Sequence, residues 1–291
     1  MKILSRPKGN AEEYGRWSLN PYIGCPHACH YCYLKKGVWA KKLGGNEPQL
    51  KNGLINDFHA YHVAMAEIIE NREQIISDGG LFASFVTDPF CEPCVYLFLT
   101  IIYECVTTQG VPVTVLTKSI GFRELEAYQA IVSQIKQGAD IPIAIGFTLT
   151  GHDELEPHAP NNEARLEEMA HVSDDGITTW ASIEPVIDFD TSYKMIIEAL
   201  DAGCQHFKIG LLTDNTRVSR HKYDLAEAMS FTGYVMEATY GHATVYWKQS
   251  FYDFFGSQPL HGMTSSEFLH QWRHSVDKDY NTLCPVSTDG E

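Results

Sequence analysis

The chain alternates short, β-branched apolar runs with longer amphipathic stretches, and this alternation constrains its fold more than any other feature. The apolar runs are nearly continuous, which is typical of parallel strands covered on both faces. They predict strands over 81–88, 112–119, 143–150, 178–186 and 206–212. The stretches between them predict helices over 57–76, 92–109, 122–137, 161–175 and 191–202. With one more strand ahead of Cys25, six βα units are expected, which indicates an α/β fold as an open doubly wound sheet or a full or partial barrel.

Glycines and one polar triplet mark where these helices end and begin. Gly110, Gly138 and Gly203 follow helical patterns and predict helix ends, because glycine readily adopts the left-handed conformation that closes a helix. The triplet Asp-Thr-Ser at 190–192 predicts the amino-terminal cap of the last helix in the series.

Polar side chains follow four of the predicted strands at the point where each strand ends. They are Thr87 and Asp88, the segments 117–119 and 148–150, and Glu184. Because the carboxyl ends of the strands carry the chemistry of parallel α/β folds, we expect a functional site at this edge. The alternative, that each residue only makes the start of a loop soluble, is weaker when four strands share the feature.

The segment 20–34, NPYIGCPHACHYCYL, holds three cysteines at the spacing C-x3-C-x2-C. Soft thiolates on one loop favour zinc, copper(I) or an iron–sulfur centre. Structural zinc takes four ligands, but Cys25, Cys29 and Cys32 have no obvious fourth partner. His27 and His30 lie inside the loop, where closing a tetrahedral site with these cysteines would be cramped. A cubane 4Fe–4S cluster held by three cysteines instead keeps one iron open, as catalysis requires.

This spacing is the motif of the radical S-adenosylmethionine (SAM) superfamily, which the chain resembles. The likeness extends to the branch that contains spore photoproduct lyase, through the segment 20–33, the TD after the second strand, TKS after the third and SIEPV in the fifth. It covers roughly residues 16–212. The resemblance implies a radical SAM-type (β/α)6 partial barrel of parallel strands in residues 1–215. A C-terminal extension of helices and a strand, 216–291, would pack on that core.

The resemblance also implies the cofactors, a 4Fe–4S cluster on the three cysteines and SAM on its open iron. An electron from the reduced cluster would cleave SAM to methionine and a 5′-deoxyadenosyl radical, which removes a hydrogen atom from a substrate. A reducing partner such as flavodoxin or ferredoxin is then expected. The protein would hold SAM, aim the radical and exclude other hydrogen donors.

In the implied enzyme, the polar residues at the strand ends hold SAM. Asp88, with Thr87, would meet its amino group, since an acid suits an ammonium. Lys118 would meet the carboxylate. Thr148 and Thr150 would meet the ribose hydroxyls. The alternatives are a turn aspartate before a proline and a surface lysine at a strand end.

The resemblance also suggests roles for the two tyrosines around the third cysteine. Tyr31 is the aromatic residue that often precedes this cysteine in the superfamily, and we expect it beside the cofactors. The string YCY reproduces that of spore photoproduct lyase, where the second tyrosine is implicated in relaying a hydrogen atom. Tyr33 is therefore a candidate relay, with plain packing as the alternative.

Two further cysteines, Cys91 and Cys94, follow the second predicted strand in the segment DPFCEPC. The lyase uses a cysteine nearer the strand end, where this chain has Phe85 and Val86, so the lyase's own reaction is not expected here. Cys91 is a candidate hydrogen donor to a product radical. The pair could instead be redox-active, serve a second cluster, or be buried and inert, as free cysteines often are.

Other polar residues of the last strands have two interpretations each. Glu184 and Lys208 would face a central cavity, either to contact substrate or to pair with each other. Trp247 beside Lys248 could stack and pair with a nucleobase, or Trp247 could be a core residue beside a solvated lysine. Gly146 would let SAM approach the backbone or serve packing.

Net charge bears on the substrate. With 37 acidic against 22 basic residues, the charge of −15 opposes a broad grip on nucleic acid. The basic concentration lies beyond the cluster motif, at Lys35, Lys36, Lys41 and Lys42. A nucleobase, nucleotide or nucleic-acid modification is the expected substrate, with a peptide or small metabolite as the alternative. A non-enzymatic zinc module for protein interaction is the rival from another class.

The sequence also bears on location. Its most apolar run, 95–106, is too short to span a bilayer and contains Glu104. The amino terminus lacks the apolar stretch of a signal peptide. Eight cysteines without such a signal indicate a reducing compartment, so we expect a cytoplasmic protein with no membrane partner.

Overall fold

The structure is a computed structural model that describes residues 2–35, 40, 42–43, 45–212 and 223–255. Its strands are β1 (Leu4–Ser5), β2 (Ser18–Leu19), β3 (Tyr22–Ile23), β4 (Gln49–Leu50), β5 (Leu81–Ala83), β6 (Val113–Thr117), β7 (Ile143–Thr148), β8 (Thr178–Val186), β9 (His206–Leu211) and β10 (Thr244–Trp247). Its α-helices are α1 (Asp57–Glu70), α2 (Arg72–Ser77), α3 (Val95–Tyr103), α4 (Glu126–Lys136), α5 (Asn162–Asp174), α6 (Phe189–Asp201), α7 (Leu225–Thr239) and α8 (Gln249–Phe255).

A single eight-stranded sheet has the order β1-β2-β5-β6-β7-β8-β9-β10, and β3 pairs with β4 separately. All neighbours from β2 to β10 are parallel, while β1 runs antiparallel to β2. Each step from β5 to β10 passes through a helix, so the βα alternation predicted an α/β fold correctly. In the described ranges no hydrogen bonds join β1 to β10, and the barrel is therefore not closed.

The two faces of the sheet have different contents. The main core lies between one face and the helices, and it includes Val115, Ile145, Ile183 and Ile209, which are all fully buried. On the opposite, inner face a separate small cluster forms around Phe82, Ala144 and Trp180, with Tyr14, Phe85 and Leu116 packed against it. Because strand residues alternate between faces, residues two apart line the same face.

Several element boundaries differ from prediction. The strand expected over 81–88 ends at Ala83, because the side chain of Asn20 accepts hydrogen bonds from Ser84 Oγ at 2.8 Å and Phe85 N at 3.0 Å. The helix expected over 57–76 is divided at Asn71, and the helix expected over 92–109 begins at Val95 and ends in a π-helical turn.

Three helices end at glycines as predicted, but the last helix of the series begins earlier than its predicted cap. Gly110, Gly138 and Gly203 have φ values of 61°, 88° and 84°, in the left-handed region. The cap of α6 is Asp188, whose side chain accepts from Thr191 N at 2.7 Å. The prediction of a cap within 190–192 is therefore wrong, because those residues already belong to the helix.

The domain boundary expected between residues 215 and 216 lies outside the described residues, and the division remains a prediction. Within the predicted extension, β10 pairs in parallel with β9 and continues the sheet. Among the helices of the described residues, none combines the length and apolar character that crossing a membrane requires.

Candidate active site

The three motif cysteines lie on a tight loop, residues 24–34, which we call the cysteine loop. Its entry is held by a hydrogen bond from Cys25 N to the Gly45 carbonyl at 2.9 Å, and its exit by one from Cys32 N to the Cys29 carbonyl at 3.2 Å. Ala28, between them, has φ of 54°, a conformation that non-glycine residues rarely adopt. The Lys35 ammonium donates to the Ala28 carbonyl at 2.8 Å and stabilises this turn.

The cysteine loop is fastened to the segments that follow three parallel strands. After β5, the His27 imidazole Nε2 lies 2.8 Å from Asp88 Oδ2. After β6, Ser119 Oγ lies 3.4 Å from the same nitrogen. After β7, His30 N donates to the Leu155 carbonyl at 2.9 Å. The loop therefore covers the carboxyl ends of the strands, where a functional site was expected.

Asp88 is the centre of this attachment. Besides His27, its carboxylate accepts from Phe90 N at 2.9 Å, Thr117 Oγ1 at 2.7 Å and Lys118 N at 2.7 Å. Burial alone would raise its pKa, but His27 and these hydrogen bonds hold the pKa of Asp88 at about 2. The predicted role toward the amino group of SAM stays a prediction, and an incoming ammonium would have to replace one of these donors.

A second buried group joins the loop to the end of β7. Arg165 and Glu156, which are 0% and 2% exposed, form an ion pair, and Arg165 Nη1 also donates to the Thr148 carbonyl at 2.6 Å. The Tyr31 hydroxyl donates to the other oxygen of Glu156. Lys118 Nζ lies 3.8 Å from that oxygen and 5.6 Å from the centre of the Tyr31 ring. Tyr31 and Lys118, predicted as SAM-binding residues, are thus neighbours.

The remaining strand-end residues lie near these groups. Thr87 is buried with its hydroxyl 3.8 Å from Cys94 Sγ and 4.0 Å from Cys91 Sγ. Thr148 and Thr150 are buried at the end of β7, where Thr150 Oγ1 accepts from His152 N at 3.2 Å. Whether these residues contact SAM remains a prediction.

Cys91 and Cys94 are both buried, and Cys91 Sγ donates to the Asp88 carbonyl at 3.1 Å. The hydrogen bond with the Cys94 thiol, together with burial, raises the pKa of Cys91 far above its usual range. The Cys91 thiol therefore keeps its proton in this environment, as a hydrogen donor must and as an inert thiol also would.

The three thiols of the cysteine loop are soft donors of the kind that bind an iron–sulfur cluster. Burial, then the neighbouring Asp88 charge, raises the pKa of Cys25 to about 12, and burial raises that of Cys29. Each thiol must lose its proton to bind metal, so loading is coupled to proton release. Within the described ranges no three His, Cys, Asp or Glu side chains converge as ligands of one metal ion.

The inner face of the sheet begins below this loop, and aromatic rings line part of it. Tyr33 is 53% exposed, and its hydroxyl donates to the Phe85 carbonyl. The rings of Phe82 and Phe85 stack with centroids 4.4 Å apart. Gly146 makes room for Trp180, since a Cβ there would lie 2.1 Å from the indole. The packing interpretation of Gly146 is therefore correct.

Beside the aromatic rings lies a polar group from the last three strands and the amino-terminal segment. We call Glu13, Tyr14, Glu184, Lys208 and Lys248 the inner polar cluster. Lys248 Nζ lies 2.7 Å from each Glu184 oxygen and 3.4 Å from Glu13 Oε2. The Tyr14 hydroxyl donates to Glu184, and the Lys208 ammonium donates to the Glu13 carbonyl. Burial, and then Lys248, lowers the pKa of Lys208.

These contacts correct the expected pairing of Glu184 with Lys208 and settle the role of Trp247. The ion pair of Glu184 is with Lys248, a residue that the sequence suggested would be solvated but that is 4% exposed. Trp247 is fully buried against Phe231 and Phe251, so it cannot stack on a nucleobase.

Sequence reasoning missed five residues of the site: Glu13, Tyr14, His27, Glu156 and Arg165. The amino-terminal pair precedes β2 in a short 3₁₀ turn, where no periodicity indicates an inward direction. His27 was considered only as a metal ligand. The complementary charges of Glu156 and Arg165, nine residues apart across a loop and a helix start, are a signal only once the fold is known.

No protein-family model matches the chain. Over 187 residues it is 24% identical to an uncharacterized protein of Methanocaldococcus jannaschii, with 59% of this chain and 61% of that protein covered. The chain thus spans about three fifths of the length of this curated relative.

Solved structures show what fold the chain has. Spore photoproduct lyase complexed with dinucleoside spore photoproduct matches with a TM-score of 0.57 at 13% identity, covering 84% of this chain and 80% of the lyase. A cysteine-to-serine mutant of that lyase gives 0.60 at 13% identity, covering 85% and 80%. SuiB of Streptococcus suis bound to S-adenosylmethionine gives 0.54 at 13% identity, covering 85% of this chain and 53% of SuiB. SuiB bound to the precursor peptide SuiA gives 0.52 at 10% identity, covering 86% and 53%.

These solved structures are radical SAM enzymes, so the chain has the radical SAM fold. The predicted partial-barrel fold is therefore confirmed, whereas the superfamily relationship that the cysteine motif predicted stays a prediction.

Proposed function

We propose that this protein is a radical SAM enzyme in which Cys25, Cys29 and Cys32 bind a 4Fe–4S cluster. The observation that carries the proposal is the attachment of the cysteine loop to the carboxyl ends of three parallel strands. When bound, the cluster and SAM supply a 5′-deoxyadenosyl radical that removes a hydrogen atom from the substrate. Three thiol ligands leave one corner of a cubane for SAM.

The residues around the loop suit the holding of SAM. Lys118 supplies a positive charge for its carboxylate, because Cys29 and Glu156 raise the pKa of this buried amine although burial opposes it. Tyr31, held by Glu156, lies beside that ammonium. Thr87 with Asp88, and Thr148 with Thr150, provide polar groups for the amino group and the ribose. A small reductant protein such as flavodoxin or ferredoxin would deliver the electron.

Tyr33 and Cys91 are the proposed hydrogen donors. Tyr33 follows the third cysteine, and its hydroxyl reaches the Phe85 carbonyl at the edge of the inner face. Cys91 is a protonated thiol next to Asp88. Either group could return a hydrogen atom to a product radical, so each is a target for substitution once a substrate is known.

For the substrate, we propose a nucleobase, nucleotide or nucleic-acid modification. The likeness to a lyase solved with a dinucleoside photoproduct supports this class. The likeness to SuiB bound to a precursor peptide favours a peptide as the second candidate. For a nucleic acid, Lys35 and the exposed Lys42 would guide the strand, while Lys36 and Lys41 lie outside the described residues. If oligonucleotide binding at low salt is unchanged when these lysines are replaced by glutamate, the hypothesis of a nucleic-acid strand as substrate is wrong.

Anaerobic reconstitution tests the enzyme class. The protein with iron and sulfide should turn brown, and reductant with SAM should then yield 5′-deoxyadenosine. A triple Cys25→Ala, Cys29→Ala, Cys32→Ala variant should do neither, whereas Cys105→Ala, a buried thiol away from the loop, should do both. Retention of one zinc per chain without deoxyadenosine formation would favour the zinc interaction module instead.

A further inference from the structure

The inner polar cluster places charged side chains inside the barrel, where apolar packing would be more stable. The Lys248 side chain is 5% exposed and forms a two-oxygen ion pair with Glu184. Removing each ion from water carries a desolvation penalty that can exceed the attraction within the pair. Gly210 keeps the space for this pair, since a Cβ there would lie 2.9 Å from Lys248 Cδ and 3.1 Å from Glu184 Oε1. A cost of this kind indicates a function for the charges.

The cluster offers hydrogen-bond acceptors and a donor toward a ligand. Among the described residues, no donor hydrogen-bonds to the buried oxygen Glu13 Oε2, which lies 3.4 Å from Lys248 Nζ. The Glu184 side chain is 28% exposed, so its carboxylate is reachable. The carboxylates of Glu13 and Glu184 can accept hydrogen bonds from N–H groups of a ligand, and the ammonium of Lys248 can donate one to a carbonyl.

Two aromatic residues, Tyr14 and Phe85, lie between Glu184 of the inner polar cluster and the cysteine loop. Tyr14, which donates to Glu184, has its ring centroid 6.2 Å from that of the half-buried Phe85. The carbonyl of Phe85 accepts from Tyr33, one residue after the third motif cysteine. Phe85 thus contacts both Tyr14, the partner of Glu184, and Tyr33 of the cysteine loop, and it is an aromatic ring on which a base can stack.

We propose that the inner polar cluster and Phe85 form a recognition subsite for a nucleobase at the level of a nucleoside or mononucleotide. This inference rests on the proposed function, whose substrate it specifies. A nucleobase presents N–H donors and a carbonyl or ring nitrogen on one edge and has a flat face for stacking, whereas a peptide amide lacks that face. The net charge of −15 disfavours a long strand and favours a monomer.

Equilibrium binding of nucleosides to the reconstituted full chain tests the subsite. Adenosine, cytidine, guanosine, uridine and thymidine are titrated by calorimetry, with N-acetylglycinamide as the peptide probe. At least one nucleoside should bind, and Glu184→Gln should weaken it about tenfold or more, since a charged acceptor is lost. Glu198→Gln, a surface change on α6, should bind as the wild type does.

Phe85→Leu provides a second variant if Glu184→Gln fails to fold, and it should also weaken binding about tenfold through lost stacking. The proposal is overturned if no nucleoside binds, if both variants bind normally, or if only the amide probe binds and depends on Glu184. The 5′-deoxyadenosine yield of the same preparation separates the two proposals. SAM cleavage without nucleoside binding overturns the subsite alone, and nucleoside binding without a cluster overturns the enzyme class alone.

Discussion

His27 and Asp88, 61 residues apart, meet at 2.8 Å between Nε2 and Oδ2, and both side chains are buried. This contact fixes the cysteine loop to the segment after β5. The same carboxylate accepts hydrogen bonds from Thr117, the last residue of β6, and from Lys118 N. One acidic side chain therefore holds the loop at the ends of two strands.

Replacing Asp88 with asparagine should loosen the cysteine loop. The amide has the same size, but its nitrogen cannot accept the hydrogen bonds that one carboxylate oxygen now receives, and we expect a loss of about 1–3 kcal/mol of stability. Iron release from the reconstituted protein to a chelator should become faster by a factor of several. Asp140→Asn, in an exposed loop, is the control. An unchanged release rate would show that Asp88 does not position the loop.

Each single cysteine variant of the loop should lose the cluster while keeping the fold. Cys25→Ala, Cys29→Ala and Cys32→Ala should fall from about four irons per chain toward none, because two thiolates hold a cubane poorly. Iron and sulfide analysis with circular dichroism measures both properties. Full iron content in any one of them would remove that cysteine from the ligand set.

Glu156→Gln should destabilise the protein strongly, because Arg165 is fully buried and would keep only the exposed Asp153, 3.6 Å away, as a counter-ion. The expected loss is about 3–5 kcal/mol in the free energy of unfolding. Adding Arg165→Met should restore part of it, since no unpaired charge remains. The exposed pair Lys194–Glu198 supplies the control, where Glu198→Gln should cost at most about 1 kcal/mol. A double variant as unstable as the single one would contradict this explanation.

His206 should make stability depend on pH. Burial lowers the pKa of His206 to about 4, whereas in the unfolded chain it is about 6.5. As the pH falls from 6.5 to 4 the unfolded chain therefore binds the proton first, and the folded state loses roughly 3 kcal/mol, with no further loss from this group below pH 4. Urea unfolding at several pH values should show a flatter dependence for His206→Gln. Parallel curves for both proteins would contradict the prediction.

The sequence was sufficient for the fold because the fold depends on periodic burial. The runs that became β6 to β9 are apolar on both faces, and Gly110, Gly138 and Gly203 end helices as predicted. It also identified the cysteine loop, because a short-range spacing carries that signal.

The side-chain partners within the site were beyond sequence reasoning, because they are long-range. The pairs Tyr14–Glu184 and His27–Asp88 join residues 170 and 61 positions apart. The burial of Lys248 depends on Gly210 and on the amino-terminal turn that carries Glu13, and neither is visible from residue order. The strand over 81–88 was overextended because Asn20 takes hydrogen bonds from Ser84 and Phe85.

The central claim is that Cys25, Cys29 and Cys32 hold a cubane whose remaining corner binds SAM. The electron paramagnetic resonance spectrum of the reduced, reconstituted protein, recorded without and with SAM, tests it most directly. We predict a 4Fe–4S signal whose g-values change when SAM is added, because a new ligand reaches one iron. A signal that saturating SAM leaves unchanged, or a protein that binds zinc and forms no cluster, would contradict it.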